Sequence, residues 1–305
     1  MTHGFVAYNN NNQVLVSSDT KNLHFVGKAS FYNTIKSTNG YGGIRHWSFR
    51  IACNVTPMPF FSMPTEDYYG IAAVRQVSAG LWEIEIIRSG TSDIKPEVYV
   101  FADPAGVTAR STNYGAVVYN DSGEVAFDSR LRPLCVTGGV FVNPPSNPLL
   151  GSPGNLSSQY CQSNPQASMG SDNRNTFSIS ESSSKPIYFY PSIAQAEREF
   201  GYSYTSRECT GFDLYGFCLG YQDKYTWNSY YWAFYRSGIK RVGGYMFCGW
   251  IAVQYGCHWD YKDKGSFIGI GVGTDSSAGG SWPYSNQTIN LQLTAVITAE
   301  GLRYD

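Results

Sequence analysis

Laid over itself at a constant offset of 111 residues, the chain repeats: residues 4 to 27, GFVAYNNNNQVLVSSDTKNLHFVG, align without a gap on residues 115 to 138, GAVVYNDSGEVAFDSRLRPLCVTG. Eight of the 24 positions are identical: Gly4/Gly115, Val6/Val117, Tyr8/Tyr119, Asn9/Asn120, Val14/Val125, Ser18/Ser129, Leu23/Leu134 and Gly27/Gly138. Unrelated sequence would give about one or two, so the chain is a diverged tandem. The repeated unit has the pattern of a β-hairpin, an apolar run ending in Tyr-Asn, a turn of Asn-Asn-Asn or Asp-Ser-Gly, and a second alternating run. Asn and Gly supply the positive φ that a tight connection needs, and Asp121 can close an Asx-type turn.

The remainder of each unit also reads as strands. IRHWSFRI (44–51) is an aromatic run, and LWEIEII (81–87) alternates, with Glu83 and Glu85 expected on an exposed face and Trp82, Ile84 and Ile86 on a buried one. PEVYVFA (96–102) ends in Asp103-Pro104-Ala105-Gly106, a turn and linker composition, which places the boundary between units near Val107 to Asn113. The expected fold is therefore all-β, two tandem β-sandwich-like domains over residues 1–110 and 111–305. The second is enlarged by an Asn/Pro/Ser/Gly-rich loop insertion at 143–185 and a short helix. That helix is expected at Ile193 to Phe200, with Ser192 as N-cap and Gly201 as stop, and strands at Arg241 to Tyr255, Ser266 to Val272 and Ile289 to Thr298.

Composition narrows the function. Lys+Arg number 22 against 23 Asp+Glu and only 15% of residues are charged, so no basic excess exists to neutralise phosphates and nucleic acid is not an expected partner. The 24 Tyr and 32 Gly suit short strands and turns better than long helices. No cationic N-terminal region precedes an apolar run, and no stretch approaches the roughly 18 apolar residues of a membrane span, so the expectation is a soluble chain made in a cytoplasm, without membrane insertion. The seven cysteines include no C-x-x-C pair, and buried free thiols are the simplest reading.

Catalytic chemistry is thinly represented. Gly269-Ile270-Gly271-Val272-Gly273 is glycine-rich like a dinucleotide loop but lacks its final spacing and a following helix, so no cofactor is expected. The four histidines are scattered, no G-x-S-x-G or H-E-x-x-H occurs, and His258 with Asp260 offers two metal ligands where a site needs more. The nearest carboxylate pairs for glycan cleavage are Glu83/Glu85, Glu197/Glu199 and Asp260/Asp263, none set in a recognisable motif. The chain is read as a non-enzyme.

The most unusual stretch is YTWNSYYWAFY (225–235), followed by Trp250, Tyr255, Trp259 and Tyr261. Aromatic faces beside Asn, Asp and Gln stack on sugar rings or dock protein partners at little rotamer cost. Trp227, Tyr230, Tyr231, Trp259 and Tyr261 are the candidate receptor- or partner-binding residues. The alternative is that these rings build a core, since Trp232-Ala233-Phe234 matches Trp47-Ser48-Phe49 in pattern. Trp227, Tyr230, Tyr231 and Phe234 also fit helical spacing, which leaves the element open.

At the repeated hairpin, YGAVVYNDSGEVAFDS (114–129) and its weaker copy HGFVAYNNNNQVLVSS (3–18), the sequence resembles tail-tip and tail-fibre virion proteins of tailed bacteriophages of the siphovirus type. The closings PEVYVFADPAG (96–106) and LQLTAVITAEGLRYD (291–305) are alike too, each a strand running into a small-residue turn. The resemblance implies a structural component of the adsorption apparatus at the distal end of the tail, made in the host cytoplasm. It also implies other tail proteins as partners, a homo-oligomer with a trimer favoured, and a host receptor or glycan as target. In that frame residues 1–110 mount on the tail and 111–305 face the host. The competing expectations are a free carbohydrate-binding lectin and, less favoured, a surface-glycan hydrolase.

Overall fold

The computed structural model describes residues 6–8, 14–17, 22–37, 43–107, 115–143, 175–179, 184–212, 218–243, 245–263, 276–281, 285–290 and 293–305; for 6–17, 196–233 and 254–290 the description is of backbone pairing. In the first unit the strands are β1 (Val6–Tyr8), β2 (Val14–Ser17), β3 (His24–Lys28), β4 (Ser30–Ser37), β5 (Ile44–Ala52), β6 (Met58–Phe61), β7 (Tyr69–Ser78), β8 (Leu81–Ser89) and β9 (Val98–Ala102). In the second they are β10 (Val117–Tyr119), β11 (Val125–Asp128), β12 (Val136–Val142), β13 (Asn175–Phe177), β14 (Pro186–Phe189), β15 (Gln195–Phe212), β16 (Cys218–Val242), β17 (Tyr245–Asp263), β18 (Ser276–Ser281), β19 (Ser285–Asn290) and β20 (Thr294–Glu300). The fold is all-β and antiparallel.

The duplication is reproduced pair by pair. In the first hairpin Val6 faces Ser17, Ala7 faces Val16 and Tyr8 faces Val14, with a bulge between Ala7 and Tyr8. In the second Val117 faces Asp128, Val118 faces Phe127 and Tyr119 faces Val125, with the bulge between Val118 and Tyr119. Every one of these positions differs by the same 111 residues as the sequence repeat. The correspondence continues past the hairpin: β3 bulges between Phe25 and Gly27 against β9, and β12 bulges between Val136 and Gly138 against β20.

Those strands belong to a six-stranded sheet of order β12-β20-β14-β6-β9-β3, which reads alike from either edge, three strands from each unit. The start of one edge strand lies beside the segment that leads into the other. Phe25 N donates to the Arg132 carbonyl at 2.7 Å, Leu134 N donates to the Leu23 carbonyl at 2.7 Å, and His24 bridges Pro133 between them. The two ends of the sheet are thus bridged where the start of β3 runs beside the run-in to β12, which covers part of the open edges there. Both closing strands, β9 and β20, run into a single 3-10 turn, Pro104–Gly106 and Gly301–Tyr304. An acidic side chain caps each turn: Asp103 Oδ1 accepts from Ala105 N at 3.0 Å and Glu300 Oε1 from Leu302 N at 3.1 Å, satisfying donors the short turn leaves free.

Alternation sends side chains of this sheet to two cores. In β9, Val98 and Val100 enter the cluster shared with the second, ten-stranded sheet, while Tyr99 and Phe101 join Phe25, Phe60, Ile187, Ala299 and Tyr304 on the other face. Tyr304 packs 5.0 Å from the Phe25 ring and 4.8 Å from the Phe101 ring, and its hydroxyl donates to the Pro133 carbonyl at 2.7 Å while accepting from Cys135 N at 2.8 Å. The inter-sheet cluster contains Trp47, Phe49, Ile84 and Ile86 from the first unit and Tyr188, Ile239, Met246 and Val296 from the second. Packing thus crosses the repeat boundary at residue 110, and both sheets take strands from either side of it.

Three sequence expectations are corrected. No helix forms at Ile193 to Phe200: Gln195 begins β15, and Ser192, buried, gives its hydroxyl to the Ser237 carbonyl instead of capping a helix. Seventeen ladder pairs with β16 outweigh the weak helical preference of Ala, Gln, Glu and Arg. Glu83 and Glu85 are buried, at 4% and 8% exposure, because arginines from the flanking strands fold over the face that alternation marks as polar. The strand expected from Arg241 to Tyr255 is split into β16 and β17 by a turn at Gly243, where φ is +58°. The linker at 108–113, most of the 143–185 insertion and the glycine run 269–273 lie outside the described residues, apart from β13 and the residues beside it.

Candidate functional site

β16 is the longest element, and near its C-terminal end Ile239 pairs with Tyr69 of β7 while the rest of the strand pairs with β15 on one side and β17 on the other. β18 and β19 extend the sheet beyond β15. The outer strands of this ribbon contact chiefly one another among the described elements. At about 3.3 Å per residue, the part of β16 from Phe234 back to Cys218 covers about 50 Å. Strand, not helix, is thus the element carrying the aromatic run.

Register divides the candidate residues between two faces. Trp227 is opposite Tyr261, Ser229 opposite Trp259 and Tyr231 opposite Cys257, so Trp227, Tyr231, Trp259 and Tyr261 occupy one face of the ribbon. Tyr230 is opposite His258 and falls on the other face, with Asn228 and Asp260. β15 adds to the first face: Tyr204 is opposite Trp227, Tyr202 opposite Ser229 and Phe200 opposite Tyr231. Directly opposite positions lie about 5 Å apart and diagonal ones within reach of large rings, so the positions form one contiguous aromatic field three strands wide. Its reverse is mixed, with Glu197, Glu199, Ser203 and Thr205 on β15 and His258, Asp260 and Lys262 on β17. In the sequence the helical preference of Ala196, Glu197 and Arg198 masks the contribution of β15, although Phe200, Tyr202 and Tyr204 alternate at the strand period.

The ribbon's base is built from buried polar contacts. Arg236 donates to the Ala72 carbonyl at 2.6 Å, and between β7 and the Pro191–Ile193 segment lies an open cleft of about 440 Å³ lined by Ile71, Val74, Pro191, Gln195 and Arg236. Tyr190 and Cys248 meet at 3.2 Å in the inter-sheet core, and burial pushes the Cys248 thiol up to about 11, which keeps it protonated and unreactive. Cys53, Cys135 and Cys248 are free thiols. Cys248 and Cys257 lie on one strand, about 30 Å apart along it, too far for a disulfide.

Beside this base, on β5, β7 and β8, Glu83 accepts from Arg50 Nε at 2.9 Å and from Arg75, and Glu85 pairs with Arg75 at 2.8 Å and with His46 Nε2 at 3.0 Å. Burial alone would raise the Glu83 carboxyl, but hydrogen bonds from Arg75 and Arg50 outweigh it and leave its pKa below the ordinary value. The His46 hydrogen bond leads in lowering Glu85. These contacts favour the ionised form of both carboxylates. Among the described residues no group of three or more His, Cys, Asp or Glu is placed to hold a metal ion, and no helix is long and apolar enough to cross a membrane.

No protein-family model, no curated protein and no solved structure matches this chain. Its own architecture defines it: an all-β protein with a duplicated body and a long antiparallel ribbon that carries an aromatic field on one face.

Proposed function

We propose that the chain is a non-enzymatic component of the distal end of a bacteriophage tail, a tail-tip or fibre protein that contributes to host attachment through the β15–β17 ribbon. The observation that carries the attachment role is the gathering of Trp227, Tyr231, Trp259 and Tyr261 on one face of a ribbon, beside Tyr202 and Tyr204. A wide aromatic field with the Ser229 and Asp263 positions on the same face suits stacking on the rings of a surface glycan. The tail assignment is supported by the resemblance at residues 114–129 and 3–18 to tail-tip and fibre proteins, and by the low, balanced charge. Its structural partners are other tail proteins and further copies of the chain, a trimer about the tail axis being the preferred assembly.

The ribbon's role is tested with the full-length protein on a glycan array and on intact bacterial cells. Trp227→Ala and Trp259→Ala should each weaken binding roughly tenfold, while Tyr230→Ala, on the opposite face, should leave it nearly unchanged. Equal binding by all three variants would contradict the ribbon's role. A chain that binds glycans as an isolated monomer and is found free of virions would favour the lectin reading of the same face.

A further inference from the structure

His24 is fully buried at the seam that joins the two repeats, and neither ring nitrogen makes a well-formed hydrogen bond among the described residues, the Asn22 backbone alone offering a weak one. The backbone bonds of the seam flank it: Asn22 N to the Ala126 carbonyl at 3.0 Å, Phe25 N to the Arg132 carbonyl at 2.7 Å and Leu134 N to the Leu23 carbonyl at 2.7 Å, with His24 itself bridging Pro133. The ring packs 5.8 Å from Phe127 of β11.

We propose that His24 is a proton-operated latch: uptake of a proton by its imidazole opens the seam between the start of β3 and the segment that leads into β12, loosening the second hairpin from the first unit.

The charged groups around the ring are few and already engaged. Asp128 of β11 acts on it through its charge, but both carboxylate oxygens are held by Arg130, at 2.9 and 2.6 Å. Asp103, after β9, caps its own 3-10 turn. Arg132 lies over the neighbouring Phe25 ring, 4.6 Å from its centroid, adding a like charge to the seam. Burial lowers the His24 pKa below 6.5, and the Asn22 backbone, Asp128 and Asp103, which act in the opposite direction, do not offset it. The closed seam therefore disfavours the proton that the open one accepts, and closure weakens as pH falls below about 6.5.

Hydrogen exchange of the full-length protein, read by mass spectrometry and corrected for the intrinsic pH dependence, tests this. Between pH 7 and pH 5, protection of peptides spanning 22–28 and 126–136 should fall by up to about 30-fold, while β5 and β8 stay protected. His24→Phe, which fills the site without titrating, should remove the drop. The same drop in His24→Phe, or none in the wild type, would overturn the latch. Should that variant fail to fold, the wild-type imidazole is titrated by NMR. Seam opening that tracks protonation of the imidazole supports the proposal; an imidazole that takes up its proton with the seam still protected overturns it.

Discussion

Glu83 serves two arginines at once, Arg50 through Oε2 at 2.9 Å and Arg75 through Oε1, from a position with 4% exposure. Replacing it by Gln leaves both guanidinium groups beside an uncharged amide in a poorly hydrated place. For a fully buried pair such a loss costs about 3 to 5 kcal/mol; Arg50 and Arg75 reach solvent, which reduces it to about 2 kcal/mol. Glu83→Gln should therefore lower the midpoint of denaturant unfolding at pH 7 with little change in its slope. The carboxyl's pKa is depressed in the folded state, so its contribution is present above the ordinary value of 4.5 and is lost as pH falls below it. The gap between wild type and variant should close in acid; a gap that persists at pH 3 would contradict an ionic origin. These residues also mark a boundary of sequence reading: alternation separates Glu83 and Glu85 from Ile84 and Ile86, as observed, but period alone says nothing of the arginines that cover a polar face.

At the scale of elements, the second hairpin turns through Gly123, at φ +75°, while Asn120 accepts from Ser122 N at 3.1 Å and Glu124 N at 2.8 Å. The repeat places Asn12 opposite Gly123 at the 111-residue offset, and Asn is the residue after Gly that best tolerates a left-handed backbone. Gly123→Asn should change stability by less than about 1 kcal/mol, whereas Gly123→Val should cost about 2 kcal/mol, although nothing lies within 4 Å of the added Cβ. Equal effects in thermal denaturation would refute the turn geometry. The hairpins were legible because a gapless offset and Asn/Gly turn chemistry act locally. The β15 strand was not, since Ala196, Glu197 and Arg198 favour helix in isolation and only pairing with β16 decides otherwise. The aromatic field was legible as a concentration of rings; its division, with Tyr230 set apart from Trp227 and Tyr231, needed the strand and its register.

Across the whole molecule, duplication and the bridged seam act together. The six-stranded sheet takes β3, β9 and β6 from one unit and β12, β20 and β14 from the other, and the inter-sheet core draws on both. Four charged groups tie the same halves at the surface. Lys28 and Lys185 each contact both Glu97 and Asp305, at 2.6 to 2.8 Å, with the Tyr99 hydroxyl among them. Hydrogen bonds from Lys185 and Lys28 hold Glu97 down at about 2, although partial exposure keeps the network's contribution small. In the proposed function this body is the part that joins the tail, and the β15–β17 ribbon carries the surface proposed to meet the host. The measurement that bears most directly on this account is immunogold electron microscopy of purified virus particles, using serum raised against the full-length chain. Gold at the distal end of the tail is the predicted result; particles without label, with the protein recovered unattached from the lysate, would contradict a place in the adsorption apparatus.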